Sequence, residues 1–224
     1  IDLFCKRDIP FLKKYDTKII VNVCGHAPEE YLAVVERLAD EPIDMMEINI
    51  SCPNVNAGFL AFGQDAKHVE ELTAQIKKIA KQPIIMKLTP NVTDITEIAK
   101  AAEAGGAEAL SLINTLTGMK IDINRRTFAV ANKTGGVSGP VVHPIAVRMV
   151  YQTAQAVNIP IIGMGGIATP EDAIEMILAG ASAVSVGTAN FYNPNATIEI
   201  IDGIEAYMKK NGFESVKDMV GIVK

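Results

Sequence analysis

The stretch Met45-Met46-Glu47-Ile48-Asn49-Ile50-Ser51-Cys52-Pro53-Asn54 sets the terms for the whole chain. An apolar run over residues 45–50 stops abruptly at a polar cluster, and Cys52 stands between two asparagines in the pattern N-x-x-C-P-N. Glycines follow at Gly58 and Gly63, around Phe59-Leu60-Ala61-Phe62. This order predicts a strand that ends in a loop carrying a thiol. The amides of Asn49 and Asn54 suit a planar polar ligand, and a loop hinged on glycines suits closure over it.

Outward from this stretch the same figure repeats. Residues 18–23 form a β-branched run that meets Asn22, Cys24 and Gly25, and residues 28–39 follow with helical spacing at Tyr31, Leu32, Val35 and Leu38. After the thiol loop, residues 66–80 are apolar at Val69, Leu72, Ile76 and Ile79, which predicts a second helix. A strand over 83–88, a helix over 95–104 and a strand over 109–113 continue the alternation. The rhythm breaks after Asn114. Residues 115–137 are polar and glycine-containing, with short alternating pieces near 120–123 and 128–131, which predicts an inserted hairpin over 116–138. Then come a helix over 144–157, a strand over 159–164, a helix over 170–178, a strand over 183–186 and a helix over 197–210. Ahead of the first strand, residues 10–15 read as a short helix.

Six βα units in sequence predict an α/β fold with a parallel sheet. An open doubly wound sheet satisfies that rhythm. A TIM (β/α)8 barrel, with about six of its units in this chain and residues 1–224 forming one domain, accounts for more. Polar or glycine residues sit at every strand end: Asn22, Asn49, Lys87, Asn114, Gly165 with Gly166, and Gly187 with Thr188. Barrel enzymes carry their active sites on that face, and the loops after their last two strands commonly bind phosphate through backbone N–H groups. Here those loops read G-M-G-G and V-G-T. Two further strands are expected before Ile1, on the order of 60–80 residues by typical barrel length.

Composition narrows the function classes. Nearly half of the 224 residues are apolar, which suits strands buried on both faces. A net charge of −5 without long single-sign runs argues against nucleic acid as a partner. No apolar run reaches transmembrane length, so no membrane partner is expected. Cys5, Cys24 and Cys52 show no paired spacing, which points to a reducing, cytoplasmic setting rather than a disulfide framework.

Each signal has a plainer reading. A free cysteine is most often a small buried hydrophobe; Cys5 and Cys24 take that reading, whereas the strand-end position of Cys52 favours chemistry. Lys87, closing the run Ile84-Ile85-Met86, suits a structural ion pair or, at a strand end, a ligand anion. One strand-end asparagine is a turn former; Asn22, Asn49 and Asn114 in register are a stronger sign. The glycine pairs suit tight turns or a phosphate. His26, His68 and His143 share no metal-binding spacing and read as surface or loop residues.

Taken together, the segments E-I-N-I-S-C-P-N-V, M-K-L-T-P-N-V, I-N-T-L-T-G-M, A-N-K-T-G-G-V-S-G-P, I-I-G-M-G-G-I and V-G-T-A-N-F resemble the class 1 dihydroorotate dehydrogenases, FMN enzymes of pyrimidine synthesis. The resemblance runs from about Asp8 to the end. A cysteine at position 52 is the class 1 mark. The segments around Asn114 and Gly135 look like subgroup 1B, whose electrons pass to NAD through a partner subunit carrying FAD and a 2Fe–2S cluster. What the resemblance implies is specific. Cys52 takes the proton from C5 of dihydroorotate while hydride leaves C6 for flavin N5. Asn49, Asn54, Asn114 and Thr115 hold the substrate. Asn22, Asn49, Lys87 and Ile113 line the isoalloxazine, and Gly139, Gly165, Gly166, Gly187 and Thr188 hold the ribityl phosphate. A homodimer joined to the electron-transfer subunit is the implied assembly. The family's first two strands, with a substrate lysine and an asparagine loop, have no counterpart in this sequence. Three other readings fit parts of the pattern: a dihydropyrimidine dehydrogenase-type flavoenzyme, a non-catalytic barrel binding a phosphate ligand, and an inactive fragment offering an assembly surface.

Overall fold

The computed structural model describes residues 1–51 and 62–223, with Phe62 described by its backbone alone. The thiol of Cys52 and the amide of Asn54, both expected at the site, lie outside the described residues, as does Gly58.

The chain opens with a π-helical turn over Phe4–Asp8 and a short helix α1 (Ile9–Leu12). Strand and helix then alternate: β1 (Ile20–Val23), α2 (Pro28–Leu38), β2 (Met45–Asn49), α3 (Ala66–Ile79), β3 (Ile84–Lys87), α4 (Ile95–Ala104) and β4 (Ala109–Leu112). Four short strands follow, β5 (Leu116–Met119), β6 (Ile121–Asp122), β7 (Thr127–Phe128) and β8 (Thr134–Val137). The alternation resumes with α5 (His143–Ala154), β9 (Ile161–Met164), α6 (Pro170–Ala179), β10 (Ala183–Ser185) and α7 (Ala196–Asn211).

These elements form two compact units. The first comprises Ile1–Leu88 and Glu97–Leu110, the second Thr89–Thr96 and Ser111–Lys224. In the first unit β1, β2 and β3 lie side by side and parallel, with Asn22 opposite Glu47 and Asn49 opposite Lys87. Side chains alternate faces along a strand, so Asn22, Glu47, Asn49 and Lys87 share one face, and Met46 and Ile48 fill the other at 0% exposure. Ile84, Ile85 and Met86 are all fully buried, as in a parallel strand covered on both sides. Fully burying one such side chain stabilises the fold by about 1.5–3 kcal/mol. Helix α3 starts where the Asp65 carboxylate accepts the His68 backbone N–H at 2.9 Å. Before it, Gly63 packs on the chain leaving β2. A Cβ there would lie 2.6 Å from the Ile50 carbonyl oxygen, so close backbone approach requires glycine.

In the second unit β9 and β10 pair in parallel, and the Ile113 N–H donates to the Met164 carbonyl at 2.9 Å. Strands β5 with β8, and β6 with β7, pair antiparallel as two nested rungs of a hairpin. Helix α6 is well bounded. Thr169 and Asp172 form a reciprocal capping box, Pro170 supplies a preset φ in the first turn, and Gly180 ends it.

Candidate active site

In the first unit the strand-end polar residues form one connected network. The carboxylate of Glu47 accepts from the Nδ2 of Asn22 and, at 3.3 Å, from the Nζ of Lys87. The Glu47 and Lys87 side chains are 13% and 18% exposed, so this ion pair is largely withdrawn from water. The Oδ1 of Asn22 accepts from the Cys24 thiol at 3.2 Å, and the Nδ2 of Asn49 donates to that same sulfur at 3.5 Å. On its other side, the Oδ1 of Asn49 accepts from the Ser51 hydroxyl at 2.9 Å. The Tyr31 hydroxyl, from α2, donates to the Asn49 backbone carbonyl at 2.8 Å. Both amides therefore have fixed orientations: their carbonyl and NH2 ends are assigned by named partners.

Two sequence readings need correction here. Asn22 and Asn49 are not in one register, because Asn22 lies opposite Glu47 whereas Asn49 lies opposite Lys87, one pleat further along. Cys24 is not a buried hydrophobe; it is exposed and bridges the two asparagines. Cys5 does fit the plain reading: burial first, then the Glu41 carboxylate beside it, pushes its thiol above the usual range. Glu47 was missed altogether. Its signal was an acid inside an apolar run, one strand away from a lysine that also ends an apolar run.

In the second unit the Asn114 Oδ1 accepts from the Thr115 N–H at 2.8 Å. Asn91 braces the root of the hairpin. Its Nδ2 donates to the Thr115 carbonyl at 3.2 Å and its Oδ1 accepts from the Thr117 N–H at 2.9 Å. Ile113 is buried at 3% exposure. The glycines fall into two kinds. Gly166 has φ +70°, and a Cβ there would lie 2.6 Å from the Gly139 carbonyl oxygen and 2.9 Å from the His143 Cβ. Gly139 and Gly187 face open space where a side chain would project, and Gly187 has a negative φ, −106°. The Thr188 hydroxyl donates to the Ser138 hydroxyl at 3.3 Å. Such a set, glycine backbone with hydroxyls and clear space, fits a phosphate group.

His143 is the residue that sequence reading placed wrongly. It is no surface histidine: its side chain is 8% exposed, at the first position of α5. Its Nδ1 lies 2.9 Å from the Gly165 carbonyl and its Nε2 lies 3.1 Å from a Glu175 carboxylate oxygen. Asp172 Oδ1 stands 3.8 Å from Nε2. For Asp172, burial pushes the carboxyl up, but the Ala168 and Thr169 N–H groups, the Thr169 hydroxyl and His143 together hold it below the ordinary carboxylate range. His26 and His68 are exposed, as expected.

The family model for dihydroorotate dehydrogenase matches residues 1–208. The chain belongs to the dihydroorotate dehydrogenase family. Among its relatives within that family is the dihydroorotate dehydrogenase B (NAD(+)) catalytic subunit of Lachnoclostridium phytofermentans, 65% identical over 224 residues, all of this chain and 75% of that protein. The protein of the same name from Alkaliphilus metalliredigens is 59% identical over 221 residues, 99% of this chain and 73% of that one. The chain thus spans about three-quarters of the length of these relatives. Their shared name denotes one subunit of an assembly. A crystal structure of DHODH in complex with ferulenol from Eimeria tenella superposes with a TM-score of 0.79 at 23% identity, covering 96% of this chain and 65% of that one. That likeness carries the fold, the TIM barrel expected from the strand ends. No helix among the described residues is long and apolar enough to cross a membrane.

Proposed function

We propose that this protein oxidises dihydroorotate to orotate in pyrimidine biosynthesis, with FMN as its flavin. The observation that carries the reading is the 65% identity, along the whole chain, to a dihydroorotate dehydrogenase B catalytic subunit. When bound, FMN supplies the hydride acceptor.

The chain's own residues divide the remaining work. Cys52 removes the proton from C5 of the substrate. A thiol of reference pKa about 8.5 serves as a base near neutrality where its surroundings support the thiolate. Asn49, Asn54, Asn114 and Thr115 hold the pyrimidine and its carboxylate. Asn49 meets this role with an amide already oriented by Ser51 and Cys24. Asn22, Lys87 and Ile113, again with Asn49, line the flavin ring. Lys87 supplies positive charge there, moderated by its Glu47 partner. Gly139, Gly165, Gly166, Gly187 and Thr188 hold the phosphate. The extension of the proposal to the assembly is a homodimer that passes electrons to NAD through a partner subunit bearing FAD and a 2Fe–2S cluster, in the cytoplasm.

The test is spectroscopic. Full-length protein is purified, and its visible spectrum is recorded anaerobically before and after dihydroorotate is added. The flavin band should bleach with dihydroorotate and persist with dihydrouracil. Bleaching by dihydrouracil alone would instead indicate a dihydropyrimidine dehydrogenase, and a protein without flavin absorbance would defeat the proposal.

A further inference from the structure

His143 sits against the corner where β9 gives way to its glycine loop. Its ring is buried, and both nitrogens face acceptors: the Gly165 carbonyl at 2.9 Å and the Glu175 carboxylate at 3.1 Å. A carbonyl oxygen only accepts, so Nδ1–H donates to Gly165, while Nε2 lies against the Glu175 carboxylate. The Gly165 carbonyl belongs to the same peptide unit as the Gly166 N–H. In a planar trans peptide these two groups point in opposite directions. With the carbonyl turned toward His143, the Gly166 N–H is turned away from it.

That peptide has unusual latitude. Gly165 has φ +131° and Gly166 has φ +70°, conformations open to glycine and strained for other residues. A peptide between two glycines rotates readily, and a rotated unit would present a carbonyl oxygen where it now presents an N–H. Facing an anion, that exchange converts attraction into repulsion. Packing limits where the corner itself can go, since Gly166 lies against Gly139 and the backbone of His143. The histidine bond holds the carbonyl end of that peptide.

We propose that His143 is a positioning residue which locks the Gly165–Gly166 peptide with its N–H presented to the flavin phosphate. This rests on the assignment of that corner to the phosphate. Glu175 and Asp172, both on α6, face the other ring nitrogen and hold the imidazole in the orientation that serves Gly165. A simple core histidine would matter equally for any flavin. A peptide lock matters only for a ligand that carries the phosphate.

The test measures FMN and riboflavin affinities of the full-length protein after its flavin is removed, by quenching of flavin fluorescence. Wild type should prefer FMN strongly. His143→Ala should lose about 10- to 100-fold in FMN affinity, the loss expected for one charge-assisted hydrogen bond, with riboflavin affinity nearly unchanged. Asparagine places an NH2 near the position of Nδ1, and glutamine places one near that of Nε2. His143→Asn should therefore restore FMN preference and His143→Gln should not. Equal FMN preference in the asparagine and glutamine variants overturns the lock, even if the alanine variant fails to fold. A wild type that binds riboflavin as tightly as FMN overturns the phosphate assignment itself, and the lock with it. A strong wild-type preference that survives unchanged in His143→Ala overturns the lock alone.

Discussion

Replacing Lys87 with methionine isolates the energetics of the buried pair. Methionine keeps the apolar stem but removes the Lys87 cation that faces the Glu47 carboxylate, 13% exposed, and leaves the Asn22 bond in place. Breaking a buried pair from one side typically costs 3–5 kcal/mol, because the remaining charge is uncompensated; the retained Asn22 bond sets the expected loss near the lower end, about 3 kcal/mol. Adding Glu47→Gln removes the carboxylate charge as well, so the double variant should recover to within about 1–2 kcal/mol of wild type. Urea unfolding of flavin-free full-length proteins measures this without a ligand contribution, and midpoints convert through a common slope. A loss below about 1 kcal/mol for Lys87→Met would place the pair among ordinary surface ion pairs. Additive losses in the double variant would show that the two residues do not depend on each other. Either result refutes the reasoning from burial.

Cys52→Ala should slow flavin reduction by dihydroorotate about 10²–10⁴-fold while FMN stays bound, as expected for loss of a positioned base; stopped-flow bleaching at the wild-type rate would remove Cys52 from the mechanism. The two glycines at the phosphate corner should separate. Gly187→Val has open space around its Cβ and should fold yet bind FMN poorly, whereas Gly166→Val should lose thermal stability as well, because its Cβ meets Gly139 and His143 at a positive φ; flavin content and melting temperature decide. The acid limb of stability should carry a contribution from Asp172. Its carboxyl is lower in the folded state, so its contribution is present above the ordinary carboxylate pKa and is lost as pH falls through the folded value. Asp172→Asn should flatten that limb, and an unchanged limb in chemical denaturation at several pH values would count against it.

The strands and helices were legible because their apolar runs and spacings are long. Residues 84–86 are buried on both faces and read so, and the span expected for α4 agrees with its bounds. The hairpin was harder. Its outer rung pairs Gly118 with Gly135 and sets Gly136 opposite Thr117, and glycine carries little strand propensity, so pairing rather than sequence pattern defines β5 and β8. Lys87 was legible as either an ion pair or an anion ligand, and the structure supplies the pair. Glu47 stayed hidden because periodicity tells which face a residue occupies and not who meets it across the next strand. His143 stayed hidden for a similar reason: its partners, Gly165 and Glu175, are 22 and 32 residues away.

Asn91 has a consequence for how this protein can change. Its side-chain amide meets the Thr115 carbonyl and the Thr117 N–H, two groups spaced as a neighbouring strand would address them. One side chain thus acts as a splint, ending the ladder at a fixed point just beyond Asn114. The turn through Asn124 and Arg125, held by the Asp122 carboxylate, lies at the other end of the hairpin from this splint. A tag or reporter grafted at that turn should therefore leave both Asn91 bonds at the root in place.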